Sequence, residues 1–227
     1  MKYLLTLYGI LILMGFSCFE TLELDHNTQI RVKGIVTDED GKPLVGIPVY
    51  LEAYVENFDD TGLVQSVTSK GDGTYSFMFS GSNAKFFILH INRKIKGEKQ
   101  SLLNPKFAEK TLLFSNKFIK DFEVDFSQYG KLDKASKLIL KCNITDESKA
   151  ILITTSSNDI QIDTALENSS DFLFFHNLKA KDILCSEPDT IYLKRLDSVF
   201  IKYNLNNSIF IDTIFIKDHF YTYNLRN

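Results

Sequence analysis

The stretch from Ile30 to Phe79 constrains the fold most, because strand and turn signals alternate through it at short spacing. Ile30, Val32, Gly34 and Val36 alternate with Arg31, Lys33 and Thr37, the period-two pattern of a strand with one buried face. Asp40-Gly41 follows as a tight turn, since Gly accepts the positive φ that such turns require. Pro43 holds Lys42 extended. A second strand from Ile47 sets Val49, Leu51 and Ala53 on one face and Tyr50, Glu52 and Tyr54 on the other. Asp72-Gly73 turns into a third, where Tyr75, Phe77 and Phe79 alternate with Ser76, Met78 and Ser80. Short strands punctuated this closely predict an antiparallel β-sandwich.

The run Gly34 to Val49, G-I-V-T-D-E-D-G-K-P-L-V-G-I-P-V, and Asp72 to Phe77, D-G-T-Y-S-F, resemble the carboxypeptidase regulatory-like domain. The resemblance covers about residues 29–127. It implies a transthyretin-like, seven-stranded β-sandwich that serves as an accessory, stabilising or interaction module. Fold alone assigns no activity.

The N-terminus points to a compartment. Lys2 precedes an apolar run from Tyr3 to Met14, then Gly15-Phe16-Ser17-Cys18. That run is too short for a permanent membrane span and reads as a secretory signal. A Cys directly after it resembles a bacterial lipoprotein cleavage site, which implies lipid on Cys18 as the first mature residue. Gly15 and Phe16 depart from that pattern, and Gly15 with Ser17 also satisfies ordinary small-x-small cleavage. An unmodified Cys18 would be an odd thiol in an oxidising space, which favours the lipoprotein. Cys142 and Cys185 then remain as an even pair, either bridged or two buried thiols. A bridge would close a loop of roughly forty residues, about 4 kcal/mol on the chain-entropy view.

Composition shifts after Gly130: all 11 glycines lie at or before it, and only Pro188 of the four prolines follows. Turns in the second half rest on Asn, Asp and Ser. The expected organisation is a signal peptide (1–17), a tether (18–28), a regulatory-like sandwich (29–128), a linker (129–135) and a second β-sandwich (136–227). The first sandwich is expected to close with a strand from Phe118 to Phe126, placing Phe118, Phe122, Val124 and Phe126 inward. Expected strands beyond the linker are Lys137–Thr145, Ala150–Thr154, Phe172–Asn177, Thr190–Leu196, Ser198–Leu205, Ile209–Ile216 and Phe220–Leu225. For the pair around Asn206, a three-residue loop keeps one face apolar. It aligns Tyr203 with Ile211 and Lys202 with Asp212; a two-residue loop would set Asp212 beside Ile201. The fold class is therefore all-β, two antiparallel sandwiches.

Chemistry-bearing motifs are scarce. His26, His90, His176 and His219 fall in no H-x-x-E or H-E-x-x-H arrangement, so no metal site or carboxypeptidase zinc centre is expected. No phosphate loop or G-x-S-x-G elbow occurs. Asp38, Asp40 and Gly41 echo a calcium loop without its downstream acid and read as a turn. Asp59-Asp60 reads as a solvated loop tip. Tyr221 and Tyr223, on one strand face, are a candidate surface for a partner or a glycan; core packing is the competing reading. Asp163-Thr164, Asp189-Thr190, Asp197-Ser198 and Asp212-Thr213, each followed by an apolar residue, resemble a bacterial O-glycosylation pattern.

Removing Lys2 with the signal leaves 25 basic against 29 acidic residues, a net charge of −4. No basic patch with interleaved aromatics occurs, which argues against nucleic acid. Neither a catalytic set nor a cofactor is expected. The expected role is a non-enzymatic envelope lipoprotein, in the outer membrane, that binds membrane through its lipid and contacts other envelope proteins or a glycan. An adhesin or stalk component is one alternative. Another is an enzyme whose site lies in the C-terminal half, near His176 or His219.

Overall fold

The computed structural model describes residues 28–54, 62–80, 84, 86–93, 103–142, 149–155, 159–162, 180–184, 189–205 and 208–225. The chain is all-β. Its strands are β1 (Gln29–Ile35), β2 (Pro48–Tyr54), β3 (Gly62–Thr68), β4 (Thr74–Ser80), β5 (Phe86–Ile91), β6 (Lys110–Ser115) and β7 (Glu123–Asp125) in the first half. Then come β8 (Ala135–Cys142), β9 (Lys149–Thr155), β10 (Asp159–Gln161), β11 (Ala180–Leu184), β12 (Asp189–Lys194), β13 (Asp197–Leu205), β14 (Ser208–Ile216) and β15 (Phe220–Leu225).

Two sheets form the first sandwich, ordered β4-β1-β7 and β10-β6-β5-β2-β3. Their facing surfaces bury Ile30, Val32, Val49, Leu51, Phe77, Phe87, Leu89, Phe114 and Phe126. The first turn folds as its residues dictate: Asp38 Oδ1 accepts from the Asp40 and Lys42 amides at 3.0 and 2.9 Å, and Gly41 takes φ +80°. Gly34 meets a different need. A Cβ there would lie 2.4 Å from the Tyr75 hydroxyl, so the ring can cross β1 only where no side chain stands. The expected alternation in β2 is present, but both its faces are covered. Tyr50 and Tyr54 are buried on the outer side, the latter with Ile88 and Leu113.

The closing strand differs from expectation. Asn116–Phe118 is a short 3-10 turn, Asp121 and Phe122 take φ of +50° and +59°, and pairing is confined to Glu123–Asp125. Val124 and Phe126 are buried, but Phe122 is 51% exposed. The left-handed pair shifts the alternation before the strand starts, so Phe122 leaves the inward set. Arg31 accordingly donates its amide to the Phe122 carbonyl. This ladder, β1 with β7, is parallel, as are β6 with β10 and β8 with β15; the remaining ladders are antiparallel.

The second sandwich packs the sheet β11-β9-β13-β14 with the sheet β12-β8-β15. Leu138, Leu140, Val199, Ile201, Tyr203, Ile216 and Leu225 fill its core. Most of the expected strands appear here; Phe172–Asn177 lies outside the described residues, and β10 and β11 were not anticipated.

The β13–β14 hairpin overturns the expected register. Tyr203 pairs with Phe210 and Ile201 with Asp212, which is the two-residue loop. Two contacts make that register tolerable. The Tyr203 and Phe210 rings stack at 5.0 Å, and the Tyr223 hydroxyl donates to Asp212 Oδ2 at 2.9 Å. A polar partner delivered by β15 satisfies the inward carboxylate, so the apolar-face rule fails at that one position. Ile209, Ile211 and Phe215 therefore point outward and are 64%, 64% and 47% exposed.

Backbone hydrogen bonds knit the two halves together. Residues 129–135 run along the first sandwich: the Leu132 amide bonds the Thr37 carbonyl at 2.8 Å, and Leu132 is fully buried. At Gly130 a Cβ would stand 1.8 Å from the Ile35 carbonyl oxygen, so the approach of the two backbones requires Gly. Ala108 then donates to Asp133, Ala135 to Lys106 and Glu109 to the Tyr192 carbonyl, at 2.9, 3.0 and 2.9 Å. Tyr192 returns a bond from its amide to Glu109 Oε1 at 3.4 Å. Finally β10, from the second half of the chain, adds itself to the edge of β6.

Candidate functional site

A dense polar cluster lies on the outer face of the first sandwich, where β2, β5 and β6 run side by side. Strand alternation places Glu52, His90 and Thr111 on that face, opposite the core residues Leu51, Leu89 and Leu112. Glu52 Oε2 receives the Tyr54 hydroxyl at 3.0 Å and sits 3.0 Å from His90 Nε2. On the other side of the imidazole, Nδ1 faces an Arg93 N–H and the Thr111 hydroxyl, each at 3.5 Å. Arg93 has no acceptor atom, so Nδ1 accepts and Nε2–H donates to Glu52. His90 thus bridges Glu52 on one side to Arg93 and Thr111 on the other. Tyr50 stacks on its ring at 4.5 Å. Arg93 also reaches Glu109 Oε2 at 3.7 Å, which joins the cluster to the seam with β12.

Burial pushes the Glu52 pKa up, but the bonds from His90 and Tyr54 and the nearby Arg93 charge outweigh it, holding the carboxyl below its ordinary range. Burial and the Glu52 charge together push the Tyr54 phenol well above its usual value. The order hydroxyl–imidazole–carboxylate has the connectivity of a nucleophile relay. Thr111 is only 3% exposed, however, and its bond to the ring is long. In this arrangement the cluster clamps three strands and presents no open nucleophile.

A cleft of about 460 Å³ lies between the sandwiches, bounded by the first turn (Asp38, Glu39, Asp40), the 105–107 segment, and Lys134, Lys137, Arg195 and His219. Glu39 accepts the Lys134 amide at 3.0 Å and pairs with its ammonium at 3.7 Å, while Arg195 bonds His219 Nε2. The turn read from sequence therefore holds the connecting segment at Lys134, one residue before β8 begins. Among the described residues no group of three His, Cys, Asp or Glu side chains could hold a metal ion.

The residues singled out from sequence are dispersed. Cys18, His26, His176 and Cys185 lie outside the described residues, as does the side chain of Cys142 at the end of β8. Tyr221 and Tyr223 share a face as expected, but it is the inner one. Tyr223 is 8% exposed and bonded to Asp212, and Tyr221 packs against the same core. They form no open platform. Of the Asp-Ser/Thr motifs, Asp163-Thr164 lies outside the described residues; Ser198 and Thr213 are exposed, each amide held by the preceding Asp at 2.8 Å. Sequence reasoning missed the Glu52–His90 cluster. Its one signal was polar Glu52 and His90 inside otherwise apolar runs, at positions that alternation assigns to one face.

No protein-family model matches the sequence, and no curated protein matches it. Solved structures similar to it include the shaft pilin SpaA of Lactobacillus rhamnosus GG, at 9% identity over 87% of this chain and 97% of that one, TM-score 0.34. A streptococcal ancillary pilin is 11% identical over 89% and 64%, TM-score 0.30. The tip fimbrial protein Mfa3 of Porphyromonas gingivalis is 10% identical over 82% and 81%, TM-score 0.28. Likeness at this level assigns neither family nor activity.

Proposed function

We propose that this chain is a non-enzymatic spacer and docking module of a bacterial cell envelope. In this reading lipid on Cys18 carries it, and its first sandwich is a transthyretin-like, carboxypeptidase regulatory-like domain. The observation that carries the spacer role is the seam. Backbone hydrogen bonds from Ala108, Glu109 and Ala135, with the β10–β6 ladder, tie the halves where a flexible linker would leave them independent. Inter-domain surfaces ordinarily permit relative motion unless large and hydrophobic; here the β10 strand added to β6 takes that part. Metabolic labelling with an alkynyl fatty acid tests the anchor: the wild-type chain takes label and Cys18→Ser takes none. A wild-type chain left unlabelled in the membrane fraction would overturn the anchoring. Its partners are then other envelope proteins or a glycan.

An adhesin or stalk built from several copies is the second reading. The exposed apolar face of β14 favours it.

A further inference from the structure

We propose that β14 is a docking edge for a second copy of this chain, the two β14 strands pairing antiparallel about a two-fold axis at Thr213. This rests on, and deepens, the reading of the chain as an envelope assembly module. β14 is nine residues long and ends its sheet: among the described residues it pairs only with β13. Its outward side chains are Ile209, Ile211, Thr213 and Phe215, with neither Lys, Arg nor Pro among them. Edge strands ordinarily carry such residues, or an inward-pointing charge, to prevent pairing; the inward charge of β14, Asp212, is taken up by the Tyr223 hydroxyl. Phe200, 37% exposed and paired with Thr213, extends the apolar surface onto β13.

Charge and face alternation select the occupant and the register. A two-fold pairing keeps like faces together only when the axis falls on a residue, because a one-residue slip sets outward side chains against inward ones. An axis at Asp212 opposes two carboxylates. An axis at Ile211 leaves Phe215 beyond the ladder. With Thr213 on the axis, Ile211 meets Phe215, Phe210 meets Ile216, Asp212 meets Ile214, and the stem of Lys217 covers Ile209. No like charges face each other, and each Asp212 keeps its Tyr223 hydroxyl. The product is one continuous sheet of eight strands, from two four-stranded sheets. A strand ladder alone is smaller than the ~800 Å² per partner of a standard interface, so association is concentration-dependent and suited to copies crowded on one surface.

The test uses the full chain with p-benzoylphenylalanine at position 211, expressed in cells and irradiated, with position 78 (also exposed, on β4) as control. Expected is a covalent homodimer from position 211, mapping to residues 213–217 of the other copy, and none from position 78. Absence of dimer, equal dimer from both positions, or capture of only a different protein overturns the proposal. In parallel, sedimentation of the full chain in detergent, up to ~1 mM, should show self-association that Ile211→Lys weakens by at least about tenfold. A wild-type monomer throughout, or association unchanged by Ile211→Lys, also overturns it. Ile211 is 64% exposed, so the variant folds. The rigidity of the seam is measured within one copy, so failure here is distinguishable from failure of the spacer reading.

Discussion

Tyr75 supplies a test in which a smaller side chain strengthens the protein. Its ring lies across Gly34, the residue is 2% exposed, and its hydroxyl has no hydrogen-bond partner among the described residues. Stripping a hydroxyl of water without a replacement bond costs about 1–3 kcal/mol. Tyr75→Phe removes that cost and leaves the ring packing, with a small void to offset part of the gain. The expected result is stabilisation of the first sandwich by about 1 kcal/mol, a rise of roughly 2–4 °C for a chain of this size. Gly34→Ala should do the reverse. Its Cβ would lie 2.4 Å from the hydroxyl oxygen and 2.5 and 2.7 Å from two ring carbons, against the ~3.5–4.0 Å of ordinary carbon contact. Overpacking of that kind costs about 1–3 kcal/mol or more. Because the ring-carbon overlap survives loss of the hydroxyl, Phe at position 75 should relieve only part of the Gly34→Ala penalty. Urea titration followed by circular dichroism measures wild type, the two single variants and the double, with an unchanged slope checking that the same surface unfolds. A Tyr75→Phe loss of 1 kcal/mol or more, or full rescue of Gly34→Ala by it, would refute this account of the contact.

The remaining expectations concern the cluster, the hairpin and the seam. Glu52 has a folded pKa below its ordinary value of 4.5, so its contribution is complete above that value and drains as pH falls through the lower folded one. Glu52→Gln should flatten the loss of stability with acid in that window; an acid limb identical to wild type contradicts the network. For the hairpin, a double-mutant cycle of Asp212→Ala and Tyr223→Phe should show coupling of about 1–3 kcal/mol. Zero coupling would return the hairpin to the three-residue loop. Gly130→Ala meets a backbone oxygen that cannot step aside, so its cost should reach or exceed the upper end of the ~1–3 kcal/mol range for overpacking; a thermal midpoint within error of wild type would sink that reading.

Period-two alternation made β1, β2 and β4 legible, because each has a core face marked by side chains whose burial local sequence reports. It also located most strands of the second sandwich. It failed where a distant partner changed the local rule. Asp212 looks wrong on an inner face until β15 brings the Tyr223 hydroxyl to it. Asp121 and Phe122 look like strand until two positive φ angles break the alternation. Alternation puts Glu52 and Tyr54 on one face of β2 but carries no sign that they are gathered into a cluster with His90 and Arg93, which lie 38 and 41 positions beyond Glu52. The seam left no local mark at all, apart from a Gly at position 130 where two backbones nearly touch.

Tied by the seam, the two sandwiches should move as one body, and residual dipolar couplings measure this directly. Backbone couplings are collected for β1–β7 and for β8, β9 and β11–β15 in one weakly aligned sample. A single alignment tensor should fit both sets with the relative orientation described here. Two tensors of different magnitude would mean that the halves reorient independently, and the spacer account would be wrong.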